Sequence, residues 1–343
     1  MTTRRTALKS LGGAAVCGFA AQLAFPALAQ QRTTWKCVAN HRNGASWSHR
    51  WPWLIDEVAK RSDGRLQLEV TTVPELGFSG QELLRALRSN LVDFSDIVAG
   101  FVAGEFPAIE APQLAGVFGD YEATRKAVDA WSEKVLKHNE GMLGGRLFGS
   151  FNYNSVLLFS KFPIDSLDSL RGKKIRIFSV SLSDYVSALG GEPVSIPTAD
   201  IYTALERGTL DGAIIGPDQV EGGRLYEVSK YLTNLHFGSS PGYNVISRRS
   251  WERLPDDLKR ILDGIAPAFV QRGWEAGAEN DRDGLAAAER RGMVVQRTIE
   301  DEWREPLQKI ARDVVAARWA KRAGDQAKRD FNEVLAPIAG FTI

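Results

Sequence analysis

Cysteine and histidine are scarce in this 343-residue chain, at two and four copies. Two cysteines cannot staple a disulfide scaffold, and four histidines leave little material for a metal cluster. A charge excess is missing too: 43 Lys and Arg face 42 Asp and Glu, for a net of +1. That balance offers nothing to hold a nucleic-acid backbone or an anionic membrane surface. There is no low-complexity segment and no short fixed repeat. Nor is there a G-x-S-x-G elbow, an H-E-x-x-H pair, a phosphate loop or a G-x-G-x-x-G in context. What remains, 44% hydrophobic and 25% charged, is too apolar for disorder and long enough for about two domains.

The first thirty residues read as an address. Arg4, Arg5 and Lys9 make a positive front, Leu11 to Leu28 is apolar and uncharged, and Ala27-Leu28-Ala29 is a small-x-small cleavage signal. The expectation is an export signal over residues 1–29, with no nucleic-acid partner and no retained membrane anchor. Thr3 to Lys9 resembles a twin-arginine signal, although Ala7 stands where that motif usually has Phe. Twin-arginine export is favoured, with the Sec route left open. Cleavage removes three positive charges and Cys17, leaving a chain of net charge −2 whose one cysteine is Cys37. Cys37 sits in the strand-like Thr33–Ala39, which predicts a buried, inert thiol.

Helical and extended patterns then alternate. Strands are expected at Thr33–Ala39, Arg65–Thr72, Val92–Val98, Gly145–Asn152 and Val156–Phe159, with helices at Ser46–Arg61, Ser79–Ser89 and Tyr121–Lys137 between them. Ser79 with Glu82 has capping-box spacing. Beyond residue 150 the alternation repeats: strand Lys173–Phe178, helix Ser181–Leu189, strand Glu192–Ser195, helix Ala199–Arg207, strand Ala213–Ile215. Such alternation implies parallel sheets covered by helices, here in two α/β lobes. Ser250–Arg291 and Glu300–Lys321 are almost wholly helical, with Pro255 at a helix start and Pro267 at a potential kink.

The sharpest signal lies in residues 167–232. It comprises Leu170-Arg171-Gly172-Lys173-Lys174-Ile175-Arg176, Leu189-Gly190-Gly191-Glu192-Pro193-Val194, Asp200 to Gly212, and Tyr226 to Leu232. Arg61 to Arg65, Glu75-Leu76-Gly77, Phe101 to Pro107 and Leu254 to Leu258 extend the pattern. In this order and spacing the chain resembles the solute-binding proteins of TRAP transporters, the dicarboxylate-type periplasmic family. The resemblance implies a two-lobed periplasmic-binding-protein fold with a long bracing helix. Lobe I would take residues 30–152 plus about 243–290, and lobe II 153–242 plus about 291–320. Residues 321–343 would form a tail packed on both. It further implies a periplasmic location, a small organic acid as ligand and TRAP membrane subunits as partners; no cofactor is expected and no metal ligand is assigned, with a metal ion that helps hold the ligand left open.

The family places a carboxylate-binding arginine in the slot of Arg176. A planar guanidinium returns two charge-assisted hydrogen bonds to a desolvated carboxylate, each worth about 1.5–3 kcal/mol. Asn40 matches a polar family contact after the first strand, and Trp47 is either a pocket wall or a core side chain. Asn152 and Asn154 lie at the expected crossover between lobes, and Tyr243 and Asn244 at the return crossover. Each of these asparagines is read either as a ligand contact or as a hinge or turn residue. Phe178 shares the strand face of Arg176. Asp218 is read as a helix N-terminal carboxylate, or else as a group for a cation or hydroxyl. His41 and His49, eight apart, carry a weak metal or general-base reading beside that of plain loop histidines.

Two departures narrow the ligand. Many relatives have D-G-x-E-N-P where this chain has Asp211-Gly212-Ala213-Ile214-Ile215-Gly216. Sialic-acid-type relatives place a second arginine near Val156. Apolar Ile214 and Ile215, with Phe178 and Trp47, favour a monocarboxylate with an apolar or aromatic substituent, such as a 2-oxo or 2-hydroxy acid. The competing class is a periplasmic enzyme acting on such an acid.

Overall fold

The computed structural model describes residues 32–343. The expected export signal and Cys17 lie outside the described residues. Eleven strands follow: β1 Thr33–Ala39, β2 Leu66–Thr72, β3 Phe94–Val98, β4 Gly145–Ser155, β5 Leu157–Ser160 and β6 Lys174–Ile177. After them come β7 Glu192–Ser195, β8 Gly212–Ile215, β9 Tyr231–Thr233, β10 Ser239–Ser247 and β11 Val294–Gln296. They form two sheets, β2-β1-β3-β10-β4 and β11-β9-β5-β8-β6-β7, each the centre of one lobe of the α/β fold.

Local chemistry explains the strands. Along β1, Trp35 and Cys37 are buried while Thr34 and Lys36 are exposed, a period-two pattern that gives way to full burial at Val38 and Ala39, where both faces of the sheet are covered. β1 runs parallel to β2, with Trp35 opposite Leu68. Cys37 is buried, and the loss of hydration together with nearby carboxylates pushes its thiol well above the ordinary range. It is therefore held as a thiol, not as a nucleophilic thiolate.

The sheets are mixed, not parallel. β10 runs antiparallel to both β3 and β4, and β5 runs antiparallel to both β8 and β9. β4 leads from the first sheet into β5 of the second, and β9 of the second leads back into β10 of the first. A strand that carries the chain between sheets enters against its neighbours' direction, which the alternation of helix and strand did not register.

The expected helix over 46–61 is interrupted. Gly44–Ser48 and Trp51–Arg61 are separate, and Arg50 between them turns inward to a buried Asp96. The Ser79 capping box forms as expected, Glu82 Oε2 accepting the Ser79 N–H at 2.8 Å. The long helix Asp256–Arg290 begins after Pro255 and continues through Pro267 as one element. At 1.5 Å per residue it is long enough to touch both lobes. A Cβ on its Gly277 would stand 2.4 Å from the Asn152 carbonyl oxygen, and one on Gly284 2.5 Å from that of Pro217. Only glycine permits that approach on both sides. From residue 301 the C-terminal helices return over the pair. Trp319 Nε1 donates to the Pro107 carbonyl at 2.8 Å, while Arg318 and Arg322 hold Asp184 at 3.0 and 2.7 Å.

A candidate acid-binding cavity between the lobes

The carboxyl ends of β1, β3, β6 and β8 converge where the two sheets face each other, and a cavity of about 50 Å³ lies there. Asn40 and His41 follow β1, and Val98 and Phe101 end and follow β3. Arg176 lies on β6 and Phe178 follows it, Ile215 ends β8 and Asp218 follows it, and Tyr153 and Asn154 come from β4 as it leaves the first lobe. Thr198, Gly216, Gln219, Val156 and Ser240 complete the wall. A larger recess of about 900 Å³, between Pro163–Asp165 and Glu300–Trp303, opens on the outer flank of the second lobe. Among the described residues that line it there is no arginine or lysine, whereas the inner cavity holds Arg176.

Arg176 is 2% exposed. Its Nε donates to the Ile196 carbonyl at 3.3 Å, Nη1 to the Ile214 carbonyl at 3.2 Å and Nη2 to Thr198 Oγ1 at 3.3 Å. The Phe178 ring lies 5.4 Å from its central carbon. Every protein acceptor is neutral. Loss of hydration pulls its pKa down to about 10, with no acid near enough to oppose the shift. The group thus remains a cation at neutral pH, uncompensated inside the protein. A buried cation of this kind costs several kcal/mol unless an anion joins it.

The rest of the wall is held from behind. The Tyr153 hydroxyl donates to Asp96 Oδ2 at 3.3 Å, and Asp96 also takes Arg50 Nη2 at 3.2 Å and Trp51 Nε1 at 3.1 Å. His41 leans on Tyr153, ring centroids 5.2 Å apart. Asp218 Oδ1 accepts Asn154 Nδ2 at 2.6 Å and Oδ2 accepts Gln219 Nε2 at 2.7 Å. Burial lowers the His41 pKa and raises that of Asp218, each charge partly offsetting the effect on the other.

Of the nine side chains singled out in the sequence, the cavity brings together Asn40, Asn154, Arg176, Phe178 and Ile215. Four stand elsewhere: Trp47 takes the core role that the sequence had left open, and the reading of Asn152, Tyr243 and Asn244 as cavity residues is corrected. Trp47 stacks on Trp51 with ring centroids 6.4 Å apart and lies under the Arg42 guanidinium, a packing side chain of the first lobe. Asn152 is fully buried against the long helix, one residue short of the point where β4 reaches the cavity at Tyr153. Tyr243 and Asn244 are not at a crossover but inside β10, pinned between β3 and β4. Tyr243 joins the main core, and Asn244 Nδ2 donates to Asp96. His49 is exposed, with Nδ1 3.2 Å from Glu279 Oε2, whereas His41 lines the cavity. Thr198, Gln219 and Ser240 were not marked by the sequence, and Phe101 stood there only within the Phe101 to Pro107 pattern. Each is an ordinary residue locally and becomes a wall only through the fold.

Comparison with known proteins follows from this geometry. Residues 51–321 match the family described as DctP, bacterial extracellular solute-binding protein, family 7. The C4-dicarboxylate-binding periplasmic protein DctP of Rhodobacter capsulatus is 25% identical, over 66% of this chain and 69% of its own length. The 2,3-diketo-L-gulonate-binding periplasmic protein YiaO of Escherichia coli is 23% identical over 80% of each. Among solved structures, a marine metagenome TRAP solute-binding protein specific for aromatic acid ligands, in complex with 3-hydroxybenzoate, superposes with a TM-score of 0.80. It is 20% identical and covers 91% of this chain and 99% of that one. The match over residues 51–321 covers most of the chain, and the two-lobed fold agrees with it. The chain belongs to family 7 of the bacterial extracellular solute-binding proteins, a family that holds solutes.

Proposed function

We propose that this receptor captures a small monocarboxylate in the cavity between its lobes, in the periplasm, and delivers it to TRAP membrane subunits. The observation that carries the reading is Arg176, a cation 2% exposed in a cavity wall with only neutral partners. A carboxylate there forms two charge-assisted bonds and removes the uncompensated charge. Phe178, Phe101, Val98, Val156 and Ile215 supply apolar wall for the rest of the molecule. That wall suits an apolar or aromatic substituent, and Asp218 disfavours a second carboxylate by like-charge repulsion. The relatives named above are receptors for a dicarboxylate, a sugar acid and an aromatic acid, which supports an organic acid as the ligand class. In this reading lobe I takes residues 30–152 with about 243–290, and lobe II takes 153–242 with about 291–320.

The test is calorimetric titration of a carboxylate panel into the wild type and Arg176→Met. The variant is expected to bind at least a hundredfold more weakly. Its ligand-free form should melt no lower than wild type, because methionine fills the space without a buried charge. Near-normal affinity in the variant would overturn the reading.

A further inference from the structure

The cavity has a second pole that carboxylate capture by Arg176 does not use. Asp218 enters it from lobe II after β8, and His41 enters from lobe I after β1. Although Asp218 and Arg176 line one cavity, no ion pair joins them, and no acid compensates the arginine. The cavity therefore holds a cation and a carboxylate at separate places, each able to take a different part of one small molecule.

The hydrogen-bond inventory of the second pole is dominated by acceptors. Asn154 and Gln219 each donate an amide N–H to one Asp218 oxygen, at 2.6 and 2.7 Å. A carboxylate has about four lone-pair sites, so roughly two remain after these bonds, and a donating amide keeps its own oxygen as an acceptor. The opposing donors are the second N–H of each of these amides and one ring nitrogen. His41 Nδ1 accepts the Asn43 backbone N–H at 3.2 Å, which in the neutral ring places the proton on Nε2. A keto oxygen or a bare hydrocarbon brought to this pole would leave the Asp218 lone pairs unmatched out of water, which is costly. A hydroxyl, a lactam N–H or an ammonium would satisfy them. Asp281 also lies near Asp218 and adds to the negative field there.

We propose that Asp218, with the Asn154 amide, reads a hydrogen-bond donor on the bound acid. The receptor then selects hydroxy, lactam or amino carboxylates over keto, ether or unsubstituted ones. This deepens the acid-receptor reading and rests on it. It divides the 2-oxo acids from the 2-hydroxy acids, a pair that Arg176 alone treats alike.

The experiment uses acids matched in carbon skeleton. The sets are lactate, alanine and pyruvate; mandelate, phenylglycine and phenylglyoxylate; 3-hydroxybenzoate and 3-methoxybenzoate; and pyroglutamate with its lactone analogue. Each is titrated calorimetrically into the wild type and Asp218→Asn. In every set that binds, a donor-bearing acid should bind the wild type at least tenfold more tightly than its donor-free counterpart. Asp218→Asn should shrink that ratio to threefold or less, because the new amide offers an N–H that suits a keto oxygen. Preference for phenylglycine over mandelate would assign a cationic donor, and the reverse a neutral one; both support the proposal. Equal affinity within a binding set in the wild type overturns it, as does an unchanged ratio in a folded Asp218→Asn. Binding without donor preference would leave the acid-receptor reading standing. If no acid binds at all, both fail.

Discussion

Phe101 of the first lobe and Phe178 of the second meet edge to face, ring centroids 5.9 Å apart and planes at 90°. Behind them Gly100 lies so near the second lobe that a Cβ would come 2.7 Å from Ser179 Cβ and 3.2 Å from the Phe178 ring. Nearby, Glu110 accepts the Ser181 N–H at 2.9 Å at the start of the helix Val180–Ala188. These contacts are made between lobes and describe a closed arrangement.

Closure is thus sensitive to one missing side chain. Gly100→Leu keeps Arg176, Asp218 and the aromatic wall but puts a branched group where the lobes touch. The expected outcome is a loss of acid affinity of at least thirtyfold. A larger radius of gyration by small-angle scattering in the presence of ligand should accompany it. A ligand gains from closure only through contacts available in the closed form, so weakening that form weakens binding by the same factor. A variant with wild-type affinity and wild-type dimensions would show that these contacts do not govern capture.

Asp281 gives a pH dependence with a definite sign. It accepts the Ser155 N–H and hydroxyl, both at 2.7 Å, where β4 passes toward β5. Burial, with a smaller contribution from Asp218, lifts its pKa to about 6 against those two hydrogen bonds. The folded value exceeds the unfolded value, ordinarily near 3.9 for Asp, so the folded state holds the proton more strongly. Stability from this group is present below the unfolded value and is lost as pH rises through about 6. For a partly buried carboxylate the loss is roughly 1–3 kcal/mol. Asp281→Asn preserves an acceptor for the N–H and a donor toward the Ser155 oxygen. Urea unfolding between pH 4 and 8 should show the variant at least as stable as wild type at pH 7.5, with the advantage vanishing near pH 4. Parallel stability curves for the two proteins would contradict this.

The sequence disclosed most where chemistry is local. The first half of β1 alternates, the Ser79 box has its spacing, and Arg176 stands in a motif on a short strand. β10 was hidden because Ser239-Ser240-Pro241-Gly242 has the composition of a turn. Yet all nine of its residues are buried, and Pro241 is tolerated beside a register shift in the pairing with β4. That error displaced Tyr243 and Asn244 from core to crossover. Asn152 and Asn154 show the same difficulty at finer scale. They are two residues apart on one strand, but β4 carries the first along the long helix and the second into the cavity. His41 and Asp218, separated by some 180 residues, were each noticed and given a local role. Their meeting depends on the lobes facing one another, which no spacing encodes.

Support behind the cavity gives the last prediction. Arg50 and Asp96 form an ion pair with side chains 0% and 1% exposed. The guanidinium carbon lies 4.0 Å above the Phe151 ring and 4.8 Å above that of Phe269. Asp96 also anchors Trp51, Asn244 and the cavity residue Tyr153. Removing one partner leaves the other charge buried and alone, at a cost of about 3–5 kcal/mol, whereas replacing both with apolar groups is often close to neutral. Asp96→Leu should therefore lower the unfolding midpoint steeply. Arg50→Met combined with Asp96→Leu should recover at least half of that loss, a coupling measurable as a double-mutant cycle. Acid affinity in the double variant should fall by less than tenfold, since Tyr153 loses its anchor while Arg176 keeps all three of its partners. If Asp96→Leu unfolds no earlier than wild type, the network is not what holds this wall in place.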